Sequence, residues 1–131
     1  MLTSLNRYAP HALGLLRIVT ALIFIAHGTQ KLFGFPALPP SGSLPPAMSI
    51  YWFAGVLELV GGLLILVGFQ TRIVAFILSG QMAVAYWMAH APKSIYPVLN
   101  GGDAAILYCF VFLYLVFAGA GAFAIDKDGR D

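Results

Sequence analysis

Charge is what this chain has least of. Its 131 residues include only five Asp or Glu and seven Lys or Arg, so charged residues are 9% of the total, against about 25% in soluble globular domains. The formal charge of +2 is small and its Lys and Arg are scattered, which excludes a nucleic-acid footprint and a nucleic-acid partner. Cysteine is nearly absent. With Cys109 alone, neither an internal disulfide nor a CxxC dithiol couple can form. Small four-helix membrane proteins that move disulfides need paired cysteines, so that class is excluded. There is no GxxxxGK[ST], HExxH or GxSxG motif and no low-complexity tract. No residue is assigned a catalytic role and no metal site is assigned.

Hydrophobic residues, at 60%, fill the space left by charge. Four apolar runs stand out: Ala12 to Phe33, Ile50 to Phe69, Ile73 to Ala91 and Ala104 to Phe123. Each is close to the ~20 residues a helix needs to cross a bilayer. Without water to satisfy the backbone, helices are the form such spans take. Residues 34–49 carry Pro36, Pro39, Pro40, Pro45 and Pro46 and form an irregular loop. Gly68 to Arg72 is a tight turn that makes the second and third helices antiparallel neighbours. The expectation is a single domain over 1–131, an all-α integral membrane protein built as an antiparallel four-helix transmembrane bundle. Arg17 and Lys31 bracket the first run and no A-x-A-like site follows it, which argues against a cleaved signal peptide. Arg7, Arg72, Lys127 and Arg130, with Arg17 near the edge, share one side; Lys31 and Lys93 lie on the other. The positive-inside rule then predicts both termini in the cytoplasm, with Trp52 and Trp87 near the outer interface.

Within these runs lie a few polar residues. A lipid-facing Glu58 would cost about 2.5–3.5 kcal/mol on insertion scales, so it must face protein or a wet cavity. Arg17, in the first run, is its expected partner, in an ion pair that fixes helix register. Arg17, Thr20, Phe24, His27 and Lys31 recur at spacings of three and four and make one helix face. Arg17 and Lys31 are about 21 Å apart along the axis. Gly55, Glu58 and Gly62 share a face on the second helix, where glycines admit a close neighbour. The third helix has a small-residue stripe, Ala75, Ser79 and Ala83, leading to Tyr86 and His90. Gln81 lies half a turn from His90, which predicts that one pocket does not take both from the same face. His27, Lys31, His90 and Asp103 fall at a similar outer depth, and together they outline a polar pocket roofed by the 34–49 loop. The candidate ligand-binding residues are therefore His27, Lys31, Glu58 and His90. Arg17, Glu58, Gln81 and Asp103 are the candidate buried polar residues of structure, with Asp103 as helix N-cap. Each also has a plain alternative: His27 bonding a carbonyl, Lys31 snorkelling to the interface, His90 capping a helix end, Cys109 an inert small hydrophobe.

Several stretches, in order, resemble the DoxX family of small bacterial membrane proteins. They are Leu16-Arg17-Ile18, His27 to Gly34, Glu58 to Gly62, Gly68 to Arg72, Asn100 to Asp103, and Gly119-Ala120-Gly121 leading to Asp126. The resemblance covers nearly the whole chain. It departs from the family pattern at Ala21, where Gly is frequent, and at Asp103, where Glu is common. It implies a four-helix, multi-pass protein of the bacterial inner membrane with both termini inside. Members are often labelled oxidoreductases and associated with quinone or thiol stress, and the related DoxD proteins with thiosulfate oxidation feeding quinone.

These readings lead to competing functions. One is a redox- or quinone-associated membrane component acting with partner membrane or peripheral redox proteins, because nothing in the chain carries electrons by itself. A quinone needs an apolar slot with hydrogen-bonding groups at its carbonyls. Phe110, Tyr114 and Phe117, with His27, Lys31 or His90, offer both. The alternative is a non-enzymatic accessory or assembly subunit of a larger membrane complex, or a homo-oligomer. Haem b held by His27 and His90 is a third reading, for which no Soret band is expected. Transport is a fourth, for which four short helices leave little room unless the protein oligomerises.

Overall fold

The computed structural model describes residues 2–127, and all its regular structure is helical. A 3-10 segment, Leu2–Tyr8, runs into α1 (Ala9–Phe33), which has Pro10 in its first turn and stops at Gly34, φ 69°. That left-handed position is one glycine adopts without strain. α2 (Ile50–Val67) starts at Ser49, whose hydroxyl accepts the Trp52 N–H at 3.3 Å, and ends at Gly68, φ 70°. α3 (Thr71–Ala85) continues as a π-helical turn, Tyr86–His90, and a 3-10 turn, Ala91–Lys93. The short α4 (Pro97–Asn100) leads to α5 (Asp103–Ala118). The segments Leu2–Phe33, Ile50–Val67 and Thr71–Lys93 are long and apolar enough to cross a membrane, whereas Asp103–Ala118 is apolar but shorter.

α1 packs on α2, α2 on α3, and α3 on α5. The core joins Ala21 and Phe24 of α1, Ile65 of α2, Ala75, Leu78 and Met82 of α3, and Phe112 and Leu115 of α5. Phe24 meets Tyr108 and Phe112 edge-on, with ring centroids 5.1 and 5.0 Å apart, a geometry favoured by the ring quadrupole. Glycine sets the α1–α2 approach. A Cβ at Gly28 would lie 2.7 Å from the Leu59 backbone nitrogen, and one at Gly62 2.6 Å from Ile25. Large apolar side chains such as Leu22, Val60, Phe76 and Phe117 stay on the outside, as they do when hydrocarbon rather than water is the solvent.

The last apolar run does not stay helical to Phe123. α5 stops at Ala118, and Gly119 turns the chain at φ 80°, ψ −166°, a conformation open essentially to glycine. Arg72 takes up the carbonyls freed at this end, donating from Nη1 to Val116 O at 3.0 Å and Phe117 O at 2.7 Å. Residues 119–126 then fold back over the ends of α1 and α2. Ala122 N–H bonds Pro10 O, Ile125 N–H bonds Val67 O, and Asp126 N–H bonds Gly68 O, at 2.9, 3.0 and 2.8 Å. Asp126 also caps α3: its two carboxylate oxygens accept the Gln70 and Thr71 N–H groups at 2.9 and 2.8 Å, where no side chain of α3 itself does so.

Candidate functional site

Glu58 is 3% exposed, and both its oxygens are engaged. Lys31 Nζ donates to Oε1 at 2.9 Å, and Gln81 Nε2 donates to Oε2 at 2.9 Å. α1, α2 and α3 each contribute one group to this chain of charge-assisted bonds. The close approach at Gly28 and Gly55 makes it geometrically possible, since a Cβ at Gly55 would sit 2.9 Å from Lys31 Cβ.

The expected Arg17–Glu58 pair is not made. Arg17 is fully buried, but its guanidinium donates to backbone carbonyls: Ala120 O, Ala122 O at 2.9 Å and Phe123 O at 2.6 Å. Register explains the exchange. Gly28 lies against Gly55 and Leu59, while Arg17 Cζ is the near neighbour of Gly68. Glu58 is therefore level with Lys31, and Arg17 lies two to three turns away. Arg17 is a fastener for the C-terminal segment rather than part of the polar cluster.

Beside the cluster opens a cavity of about 630 Å³. His27, Lys31, Glu58, Gln81 and His90 all border it, and Pro40 is the contribution of the 34–49 loop. Gln81 and His90 thus do share a pocket, against the half-turn expectation. The π-helical turn Tyr86–His90 is wider than an α-helical one, so the chain rotates less over those residues and His90 swings toward Gln81. Asp103 departs from expectation too. It is exposed, it is the first residue of α5 rather than its cap, and it does not border the cavity, although Gly101, Ala104 and Ala105 do.

Gln30 and Tyr51 also border the cavity, and most of the remaining wall is apolar, Phe24, Met82, Met88 and Tyr108 among it. His27 stands edge-on to Tyr108, centroids 5.8 Å apart. Its ring makes no hydrogen bond among the described residues. His90 Nδ1 lies 3.0 Å from Asn100 O. A carbonyl only accepts, so Nδ1 donates in this contact, and Nε2 has no hydrogen-bond partner among the described residues. Gln81 Oε1 is buried without a partner among the described residues, an exception of the kind that buried polar atoms rarely show. An apolar cavity of this size with a few polar groups on one wall has the dimensions of a small-molecule site.

Asn100 is the residue the sequence undervalued. It is 2% exposed; its Nδ2 donates to Tyr86 Oη and Ser94 O, each at 3.0 Å, and its Oδ1 accepts Gly102 N–H at 2.8 Å. Together with the His90 contact this fixes the π-helical turn. An Asn before Gly-Gly signals a turn, which was visible, but its reach to Tyr86 was not. Tyr108 was hidden among the aromatic residues of a uniformly apolar helix.

The DoxX family profile matches residues 12–91, which include most of α1, all of α2 and α3, and all five of the polar residues His27, Lys31, Glu58, Gln81 and His90 at the cavity. An uncharacterized protein of Haemophilus influenzae is 44% identical over 129 residues, covering 96% of each chain. A Bacillus subtilis protein named "putative oxidoreductase CatD" is 29% identical over 114 residues, 86% of this chain and 82% of that one. No solved structure matches the chain. With apolar helices of membrane-crossing length and a profile match over more than half its residues, this membrane protein belongs to the DoxX family.

Proposed function

We propose that this chain is a multi-pass protein of the bacterial inner membrane that holds a small apolar aromatic molecule of the quinone class and works as a redox-associated component with partner proteins. The cavity carries the reading: about 630 Å³, apolar on most sides, with Lys31, Glu58 and Gln81 on one wall and His27 and His90 at its border. In this reading 1–131 is one domain, and the helices form an antiparallel four-helix transmembrane bundle with both termini cytoplasmic. The uneven spread of Lys and Arg supports that orientation.

A quinone ring would lie among Phe24, Met82, Met88 and Tyr108. Lys31 commits one of its three N–H donors to Glu58 and has others for a ring oxygen. Glu58, held on both oxygens, keeps that ammonium in place and neutralises it within the apolar surroundings. The buried Gln81 Oε1, unpartnered among the described residues, suits a ligand that carries hydroxyl groups in one of its states, and His90 Nε2 offers a second polar contact. A bound quinone would supply the two-electron, two-proton couple. Electrons would have to pass to a partner, because the chain has no dithiol. The name of the Bacillus relative agrees with a redox setting.

Protein purified in a maltoside detergent should retain quinone in its extracted lipids and bind added decylubiquinone saturably. Lys31→Met should weaken binding about tenfold, the scale of one charge-assisted hydrogen bond. No retained quinone together with no saturable binding would overturn the reading, and a Soret band would assign His27 and His90 to haem instead.

One observation favours the accessory-subunit reading. Gly80 is a helical glycine whose Cβ would meet nothing, and it sits between exposed Phe76 and Val84. Such a notch is the kind of surface a partner helix fills. Co-purification of a stoichiometric protein in mild detergent, lost in Gly80→Leu, supports that role; a lone monomer counts against it.

A further inference from the structure

A second cavity, of about 580 Å³, lies under the 34–49 loop and shares Lys31, Pro40 and Tyr51 with the first. We propose that it is an anion site that takes a phosphate-like oxyanion. Among the described residues its polar lining consists of Lys31, Lys93, Ser41, Ser43, Ser49 and Tyr51, with no carboxylate. Two lysines therefore border one space, and the carboxylate paired with Lys31, Glu58, belongs to the neighbouring cavity's wall. Lys93 makes no hydrogen bond or ion pair among the described residues.

Two of the serine hydroxyls, Ser43 and Ser49, have a proton to give. Ser49 Oγ accepts the Trp52 N–H at 3.3 Å, which leaves its own proton to give. The Ser43 hydroxyl makes no bond among the described residues, whereas Ser41 Oγ donates to the Ser43 carbonyl at 3.1 Å and closes the turn that presents both. Pro39, Pro40, Pro45 and Pro46 complete the walls. Their fixed φ holds the loop in shape before anything binds. The first turn of α2, which opens at this cavity, has no acidic residue, so nothing offsets the positive end of that helix. A tetrahedral oxyanion, with one charge or two and several acceptor lone pairs, matches this set of cations and hydroxyls. A free oxyanion and a phospholipid headgroup both offer that chemistry.

The test uses the full chain in a maltoside detergent. Sodium phosphate and sodium sulfate are titrated separately against sodium chloride at equal ionic strength, with thermal unfolding as the readout. In a second arm the protein is reconstituted with phosphatidylglycerol or phosphatidylcholine, and retained lipid is counted by native mass spectrometry. Lys93→Gln is the decisive variant, because Lys93 does not border the larger cavity. It should weaken the apparent anion affinity about tenfold and leave decylubiquinone binding unchanged. Saturable stabilisation by phosphate or sulfate that Lys93→Gln loses identifies a free oxyanion. Retention of phosphatidylglycerol over phosphatidylcholine, also lost in Lys93→Gln, identifies a headgroup. If no anion-specific effect occurs in either arm, or if Lys93→Gln does not change it, the proposal is overturned, whatever the larger cavity binds.

Discussion

An ionisable side chain in an apolar span must turn toward protein, and the two most deeply buried here, Arg17 and Glu58, solve the problem differently. Glu58 takes side-chain donors from α1 and α3, so its cluster depends on both charges. Lys31→Met should destabilise the protein by about 3–5 kcal/mol by leaving a buried carboxylate without its cation, while Lys31→Met/Glu58→Gln should recover most of that loss. Unfolding in mixed SDS–maltoside micelles would give both values and their coupling. Arg17 instead spreads one planar group across three carbonyls. A lysine has the charge but not the fork, so Arg17→Lys should cost about 2–3 kcal/mol in the same assay. That both residues avoid lipid is legible from the apolar runs around them. Their partners are not, because backbone carbonyls carry no sequence signature and a level between two helices is fixed by packing that no single residue announces.

Glycine and turn chemistry govern the elements. Gly28→Ala would drive a Cβ to 2.7 Å from the Leu59 nitrogen, and this overpacking should cost about 1–3 kcal/mol and separate Lys31 from Glu58. Gly80→Ala meets open space and should gain up to about 1 kcal/mol from helix propensity; thermal unfolding of the pair in detergent checks the opposite signs. Removing the α3 cap with Asp126→Ala should cost about 0.5–2 kcal/mol. The apolar runs Ala12–Phe33 and Ile50–Phe69 place α1 and α2 to within three residues at each end, and Gly34 and Gly68 lie just past the last helical residue of each. The end of α5 could not be read from the apolar run Ala104–Phe123, whose hydropathy says how oily a segment is and not whether it stays helical. Gly119 and Gly121 were the available signal, and Arg72, from a distant element, completes it. Likewise, counting at 100° per residue separates Gln81 from His90. Only the wider turn, held by Asn100, brings them to one cavity.

At the scale of the molecule, the orientation rests on the distribution of Lys and Arg. With Cys109→Ala as background, Ser43→Cys should react with a membrane-impermeant maleimide in intact cells, and Thr3→Cys only after the membrane is opened; the reverse pattern would invert the proposed topology. The class of the protein was readable from composition, and the polar wall of the cavity from helical periodicity applied to His27, Lys31 and Glu58. The enclosed volume itself was not readable, because it depends on how Phe24, Met82, Met88 and Tyr108 leave space between four separately placed elements.

The guanidinium of Arg17 and the carbonyl of Ala120 are 103 residues apart in the chain. Ribosomes make the Arg17 end first, so this cation waits in a nascent polypeptide while three further hydrophobic segments are translated. During that interval water, a lipid phosphate or a chaperoning insertase must solvate it. The residues that relieve it, Ala120, Ala122 and Phe123, are made only after all of those segments, so the fastening of Arg17 waits for every apolar helix to be translated.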